Sequence, residues 1–169
     1  MSPPLDELCD VIMQRHHAYA HSAVPMIRGW LATLAERQPA ASPHLAEVRD
    51  AFSDLADVLL GHLAKEENIL FPAIAAMAEA ERSGRARPAL PFPTVLHPIR
   101  MMESEHARIE AAMGRLKALT NGFVPPDGAS EAWCRVLAEL AKLDEGLRAH
   151  LHAENDELFP RALDLERRL

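Results

Sequence analysis

HLAKEENILFP, residues 62–72, and HLHAENDELFP, residues 150–160, align without a gap and share His, Leu, Glu, Leu, Phe and Pro at equivalent positions, 88 residues apart. A segment repeated at such a distance marks a duplicated structural unit. In each copy the histidine and the glutamate stand four residues apart, which on a helix puts imidazole and carboxylate on one face, one turn from each other. The same offset carried back from His106 falls one residue from His17. Each half of the chain therefore reads as a histidine, a long spacer, then HxxxE, with separations of 45 from His17 to His62 and 44 from His106 to His150.

Outward from these segments the apolar periodicity is helical. Leu5, Leu8, Val11 and Ile12, then Ile27, Trp30, Leu31 and Leu34, predict a first helix that ends before QPAASP at residues 38–43 and bends at Pro25. A second helix starts around Ser42 and Pro43, where serine caps and proline suits a first turn. It continues through Leu45, Val48, Phe52, Leu55, Leu59 and Leu63 towards Ala80, with a kink at Pro72. ERSGRARPALPFP, residues 81–93, carries one glycine and three prolines and reads as the longest connection. A third helix spans about Thr94 to Thr120, NGFVPPDGAS at residues 121–130 is a turn-rich loop ending in a capping serine, and a fourth helix runs to the C-terminus. The fold expected is all-α, an up-down-up-down four-helix bundle built from a duplicated helical hairpin, as one domain over residues 1–169. Without its loop, each arm between the paired histidines has about 20 residues and a length of roughly 30 Å, so the chain returns to its starting level. Both histidines of a hairpin then share one layer.

Composition agrees with helices: 49% of residues are apolar, only 5% are aromatic, and glycine is scarce. A formal charge of -7 and a pI near 5.7 leave no basic stripe to neutralise phosphates, so nucleic acid is not an expected partner. MSPPLDELCD at the start lacks the basic residues and apolar run of a signal peptide, and no stretch approaches ~18 uninterrupted apolar residues. No membrane association and a cytoplasmic location are expected. Cys9 and Cys134 match neither a disulfide framework nor a zinc pattern and read as core cysteines too far apart to bridge. Oligomeric state is left open.

The layer brings six donors to one level: His17, His62, Glu66, His106, His150 and Glu154. Imidazole nitrogen with carboxylate oxygen suits iron or manganese, and the absence of thiolates argues against structural zinc. If both glutamates bridge, each of two metals receives two histidines and two oxygens, leaving room for an oxo or hydroxo bridge and an open position for a small molecule. His16 and His21 flank His17, which is preferred because it fits the repeat. Glu67 follows Glu66 at about 100° around a helix and is expected to face solvent or a surface partner, as is His152. Glu105, Glu110 and His21 read as solvated positions near enough to support the ligands or line an approach. Phe71, Phe159 and the pair Met101 and Met102 read as core packing, Pro72 and Pro160 as helix bends, and His44 and His97 as residues without a role.

RHHAYAH, HLAKEENILFP, MMESEHARIE, LTNGFVPPDGASEAW and HLHAENDELFPRAL together resemble the hemerythrin-like (HHE) domain and, within it, the iron–sulfur cluster repair, or repair-of-iron-centres, family. The most specific element is LTN, then VPP, then Trp133. Carried over position by position, that family's ligands fall on His17, His62, Glu66, His106, His150 and Glu154, the six chosen from spacing. The resemblance implies a cytoplasmic protein with two non-haem irons that helps restore iron–sulfur clusters damaged by nitric oxide or oxidants, through iron donation or nitric oxide handling. Its implied partners are a small diatomic or peroxide ligand (nitric oxide, dioxygen) and iron–sulfur client proteins. The chain departs from the family in lacking its short N-terminal domain with a cysteine pair, in Ser130 after Ala129 where a cysteine is usual, and in Gln38 where a histidine is frequent. Glu110 replaces the second histidine of the HxxxH found in oxygen-carrying hemerythrins, which disfavours reversible dioxygen carriage. A sensor or carrier that binds dioxygen or nitric oxide without turnover, and a purely structural bundle, are the alternative readings.

Overall fold

The computed structural model describes residues 3–37 and 42–169 and contains, among those residues, helices and no strand. Four rods run along the molecule. The first comprises α1 (Leu5–Ile12), a π turn (Met13–His17) and α2 (Ala18–Arg37); the second α3 (Ser42–Lys65), a π turn (Glu66–Leu70) and α4 (Phe71–Arg82). The third is the uninterrupted α5 (Leu96–Leu119), and the fourth α6 (Glu131–His152), a π turn (Ala153–Leu158) and α7 (Phe159–Arg168). The expected four-helix bundle is therefore present, with rod ends close to those the sequence predicts. Gln38 and the expected side-chain cap at Ser42 lie outside what is described.

Apolar residues form two separate clusters. Ile27, Leu31, Phe52, Leu55, Leu59, Val136 and Leu140 belong to the larger, built from α2, α3, α5 and α6. Leu8, Ile12, Phe71, Ile74, Met77, Ile99, Phe159 and Leu165 belong to the smaller, built from α1, α4, the start of α5 and α7. Each such side chain contributes about 1.5–3 kcal/mol by leaving water. Every rod crosses from one cluster to the other, and the residues at the crossing are His17, His62, Glu66, His106, His150 and Glu154, all buried. A polar layer thus divides the core.

Interruptions of the α register occur at that layer. A π turn closes i→i+5 bonds and fits an extra residue into the helix. Pro72 and Pro160 sit at the start of the helices that follow two of these turns, and having no N–H they break the α ladder there in any case. Around Pro25 α2 is continuous, so the register change in the first rod occurs at Met13–His17, earlier than the expected bend and without a proline.

Two connections are fixed by side chains. Ser130 caps α6 by accepting from the Trp133 amide at 3.2 Å, as expected. Glu166 on α7 accepts from the Val95 amide at 2.9 Å, from the Thr94 hydroxyl and from Arg87, tying the long connection and the start of α5 to the last helix. After α5 the residues Asn121, Gly122 and Phe123 all take left-handed φ values of 50°, 70° and 65°. Phe123 bears that uncommon conformation with its ring in the larger core cluster, which holds the turn in place. No helix among the described residues is long and apolar enough to cross a membrane.

Candidate metal centre

The six residues singled out by spacing converge in one buried site. Two groups of four have ligand atoms all within 4.8 Å of one another: His17, Glu66, His150 and Glu154, and His62, Glu66, His106 and Glu154. Both glutamates belong to both groups. The Nε2 atoms of His17 and His150 are 3.2 Å apart, as are those of His62 and His106. Glu154 faces one histidine of each pair, Oε1 lying 2.9 Å from His150 Nε2 and Oε2 3.1 Å from His106 Nε2. Oε2 of Glu66 lies 3.4 Å from His17 Nε2 and 3.3 Å from His62 Nε2.

Such a layer is costly without cations. Glu66 and Glu154 are 0% exposed, and both oxygens of Glu66 and Oε2 of Glu154 lack a hydrogen-bond partner of proper geometry. An ionised carboxylate in that position demands a compensating charge. Burial is the largest influence on His150 and pushes its imidazole down, yet the charge and hydrogen bonds of Glu154 and Glu66 outweigh it and raise the ring well above its ordinary value. Burial likewise pushes Glu154 up, and His150 and His106 outweigh it to hold the carboxyl well below the usual range. His62 goes the other way, lowered chiefly by burial. Four inward nitrogens and two carboxylates shared by both groups, with no thiolate in either, fit a non-haem di-iron centre.

Around the donors the duplication continues. Glu67, the residue after Glu66, accepts from His17 Nδ1 at 2.9 Å; Asn155, the residue after Glu154, accepts from His106 Nδ1 at 2.9 Å. Phe71 stacks on His17 with ring centroids 5.4 Å apart, and Phe159 stacks on His106 at 5.7 Å. Fixing the far nitrogen of a ligating imidazole sets its tautomer and orientation. The last pair of equivalent positions diverges. Glu105, just before His106, accepts from His62 Nδ1 at 3.3 Å and is also held by Lys65, whereas His16, just before His17, stacks flat on His150 with centroids 5.6 Å apart.

Several expectations about the surroundings are corrected. Glu67 has a surface partner, as expected, but also reaches inward, because in a π turn successive residues are less than the α-helical ~100° apart. Its carboxylate turns towards His17 while also accepting from His21 at 2.8 Å. Burial pushes Glu67 up, but the bonds from His21 and His17 hold it below its ordinary value. Glu105 is not a solvated position, its side chain being 12% exposed; Lys65 and His62 overcome burial and hold it low as well. Asn155 was not singled out by sequence, although its place in the repeat opposite Glu67 was the available signal. Phe71 and Phe159 stack on His17 and His106 in addition to filling the core. Met102 is buried but Met101 is 53% exposed, outside the core. His152 is exposed and pairs with Asp156, as its helical position implies. Glu110 lines a surface hollow between α5 and α6. Cys9 is buried and Cys134 half-buried, both as free thiols.

Residues 10–162 match the family described as the hemerythrin HHE cation binding domain. An iron-sulfur cluster repair protein of Neisseria gonorrhoeae, DnrN, is 34% identical over 165 residues, covering 95% of this chain and 93% of that protein. The iron-sulfur cluster repair protein YtfE of Escherichia coli O157:H7 is 32% identical over 163 residues, covering 96% of this chain and 68% of that protein.

Proposed function

The chain belongs to the hemerythrin HHE cation binding domain family, among its iron–sulfur cluster repair proteins, and from that premise we propose that it restores iron–sulfur clusters damaged by nitrosative or oxidative stress. The observation that carries this reading is the pair of buried four-donor groups sharing Glu66 and Glu154. One iron would be held by His17 and His150 and the other by His62 and His106, with Glu66 and Glu154 within reach of both. Two irons so held would supply a binding point for a small ligand and a store of transferable metal.

The chain's own residues organise that centre. Glu67, Glu105 and Asn155 orient three of the four imidazoles, while Phe71 and Phe159 cover two of them. Ile12, Leu70 and Leu158 on one side and Leu63, Ile109 and Leu147 on the other keep bulk water out of the layer. Nitric oxide, dioxygen or peroxide is the small ligand proposed, and a cluster-bearing protein the client. The setting proposed is the cytoplasm, where thiols such as Cys9 and Cys134 stay reduced, with residues 1–169 acting as one domain.

The test is anaerobic purification with metal analysis, followed by incubation with an iron–sulfur enzyme inactivated by nitric oxide. Two irons per chain and recovery of the client's activity, both lost in a His62→Ala, His150→Ala variant, are expected. Two irons with a stable, reversible nitric oxide adduct and no client recovery would establish a carrier or sensor instead. One iron, zinc, or no metal under iron-replete conditions would remove the di-iron reading.

A further inference from the structure

The two halves of the centre differ in what lies between them and the surface. Behind His17 and His150 stand three more groups able to bind a divalent cation. His16 is half-buried and stacked on His150; Glu67 is 29% exposed; His21 is 45% exposed. One oxygen, Oε1 of Glu67, lies 2.9 Å from His17 Nδ1 and 2.8 Å from His21 Nε2, so Glu67 and His21 run without a gap from buried His17 to water, while His16 stands beside them against His150. His21 opens on a surface hollow of about 460 Å³ whose lining includes Pro25, Gly29 and Leu60, and whose cation Arg28 is paired with Asp57.

The equivalent positions behind His62 and His106 carry no imidazole. Glu105 takes the place of His16, Glu110 that of His21, and the neutral amide of Asn155 that of Glu67. Glu105 is engaged by both His62 and Lys65, so its charge is already matched and its oxygens are already taken. One half has two further imidazoles and a carboxylate between its histidines and the solvent; the other has the engaged Glu105, the exposed Glu110 and an exposed amide, and no further imidazole.

Resting on the di-iron reading above, we propose that the His17 and His150 half is the exchangeable one, and that His16, Glu67 and His21 form a ladder of donors along which ferrous iron passes between that half and the surface. Each move is ligand exchange: one imidazole or carboxylate lone pair replaces another on the ion, and no electron is transferred. Iron in the His62 and His106 half is retained, leaving the layer partly filled while the other iron is delivered.

The experiment mixes protein loaded anaerobically with two equivalents of ferrous iron with excess of a chromogenic ferrous chelator under stopped flow. Two release phases of one iron each are expected. His16→Ala with His21→Ala slows the fast phase about tenfold, in the range of effects seen when groups around metal ligands are removed, and leaves the slow phase and the loading unchanged. Lys65→Ala and Asn155→Ala alter only the slow phase, and His150→Ala retains one iron that leaves slowly. Release in a single phase, a fast phase indifferent to the loss of both histidines, or equal slowing of both phases overturns the ladder. Failure of the unaltered protein to take up two irons overturns the di-iron reading and the ladder with it, and the metal count tells that failure from the others.

Discussion

Set side by side, the His17 and His150 half of the centre and the His62 and His106 half repeat one plan with different outer groups. Ligand identity, the HxxxE step and the covering phenylalanine appear twice. Outer acceptors do not: a carboxylate holds His17 where an amide holds His106, and His62 leans on Glu105 where His150 has the ring of His16 against it. His150 is raised above its ordinary value by the glutamates while His62 is lowered by burial, so their surroundings push the two HxxxE histidines in opposite directions. Duplication kept what coordination demands and let the surroundings drift apart, which gives two irons the means to behave differently.

The heaviest blow to the comparison is removal of something both halves share. Glu154→Ala deletes the carboxylate that faces His150 with one oxygen and His106 with the other. Iron is expected to fall from two per chain to less than one, whereas His106→Ala leaves one; metal analysis of anaerobically reconstituted protein distinguishes them. A Glu154→Ala protein that keeps one tightly bound iron would mean the halves are independent sites. Next in size are the covering rings. Phe71 is 2% exposed and Phe159 1%. Phe71→Ala and Phe159→Ala should therefore each destabilise the metal-free protein by about 3–5 kcal/mol, read from the denaturant midpoint. Unequal losses would show that the two halves, alike in geometry, are packed to different degrees.

Smaller effects sharpen the contrast. Glu67→Ala removes an ionised acceptor from His17 and Asn155→Ala a neutral one from His106, and charge-assisted bonds are roughly twice as strong. Both should weaken metal binding in their own half, within the ~10–100-fold range for such partners, with Glu67→Ala nearer the upper limit. Competition titration against a chelator of known affinity measures this. Equal losses would make the charge of Glu67 irrelevant to its role.

Much of this cluster was legible because the convergence of donors on helices writes itself into sequence as spacing. Histidine and glutamate four apart need only a helix to meet, and the 88-residue repeat supplied the second pair and, carried back, His17. Glu67 and Asn155 were harder for a physical reason. Their orientation depends on π turns beginning at Glu66 and Ala153, and a change from i→i+4 to i→i+5 bonding leaves no residue type as its mark. In the first rod, Met13–His17 has neither proline nor glycine, and only the demand of the layer itself coincides with the wider turn. The division of the core into two clusters follows from positions that were visible, since apolar periodicity stops at each ligand and resumes beyond it.

A last contrast separates the first rod from the third. Cys9 lies eight residues before His17, and Pro98 lies eight before His106, so a titratable group stands in one rod where the other has none. Burial, followed by the negative charges of Asp10, Glu154, Asp6 and Glu66, pushes the Cys9 thiol up to about 12 from an ordinary value of 9.0. The folded protein therefore keeps this proton where the unfolded chain loses it. Below pH 9 both states are protonated and Cys9 adds no pH dependence; between pH 9 and 12 the folded state binds more protons, so stability falls as pH rises. The loss from this one group reaches at most about 1.4 kcal/mol per pH unit. Cys9→Ala should flatten the alkaline part of the stability profile, at the cost of a small cavity that lowers stability equally at every pH. Denaturant midpoints at neutral pH and above pH 9 separate the two effects. An alkaline slope that persists in Cys9→Ala would assign it to other groups and show that burial and the neighbouring carboxylates do not hold the Cys9 thiol up.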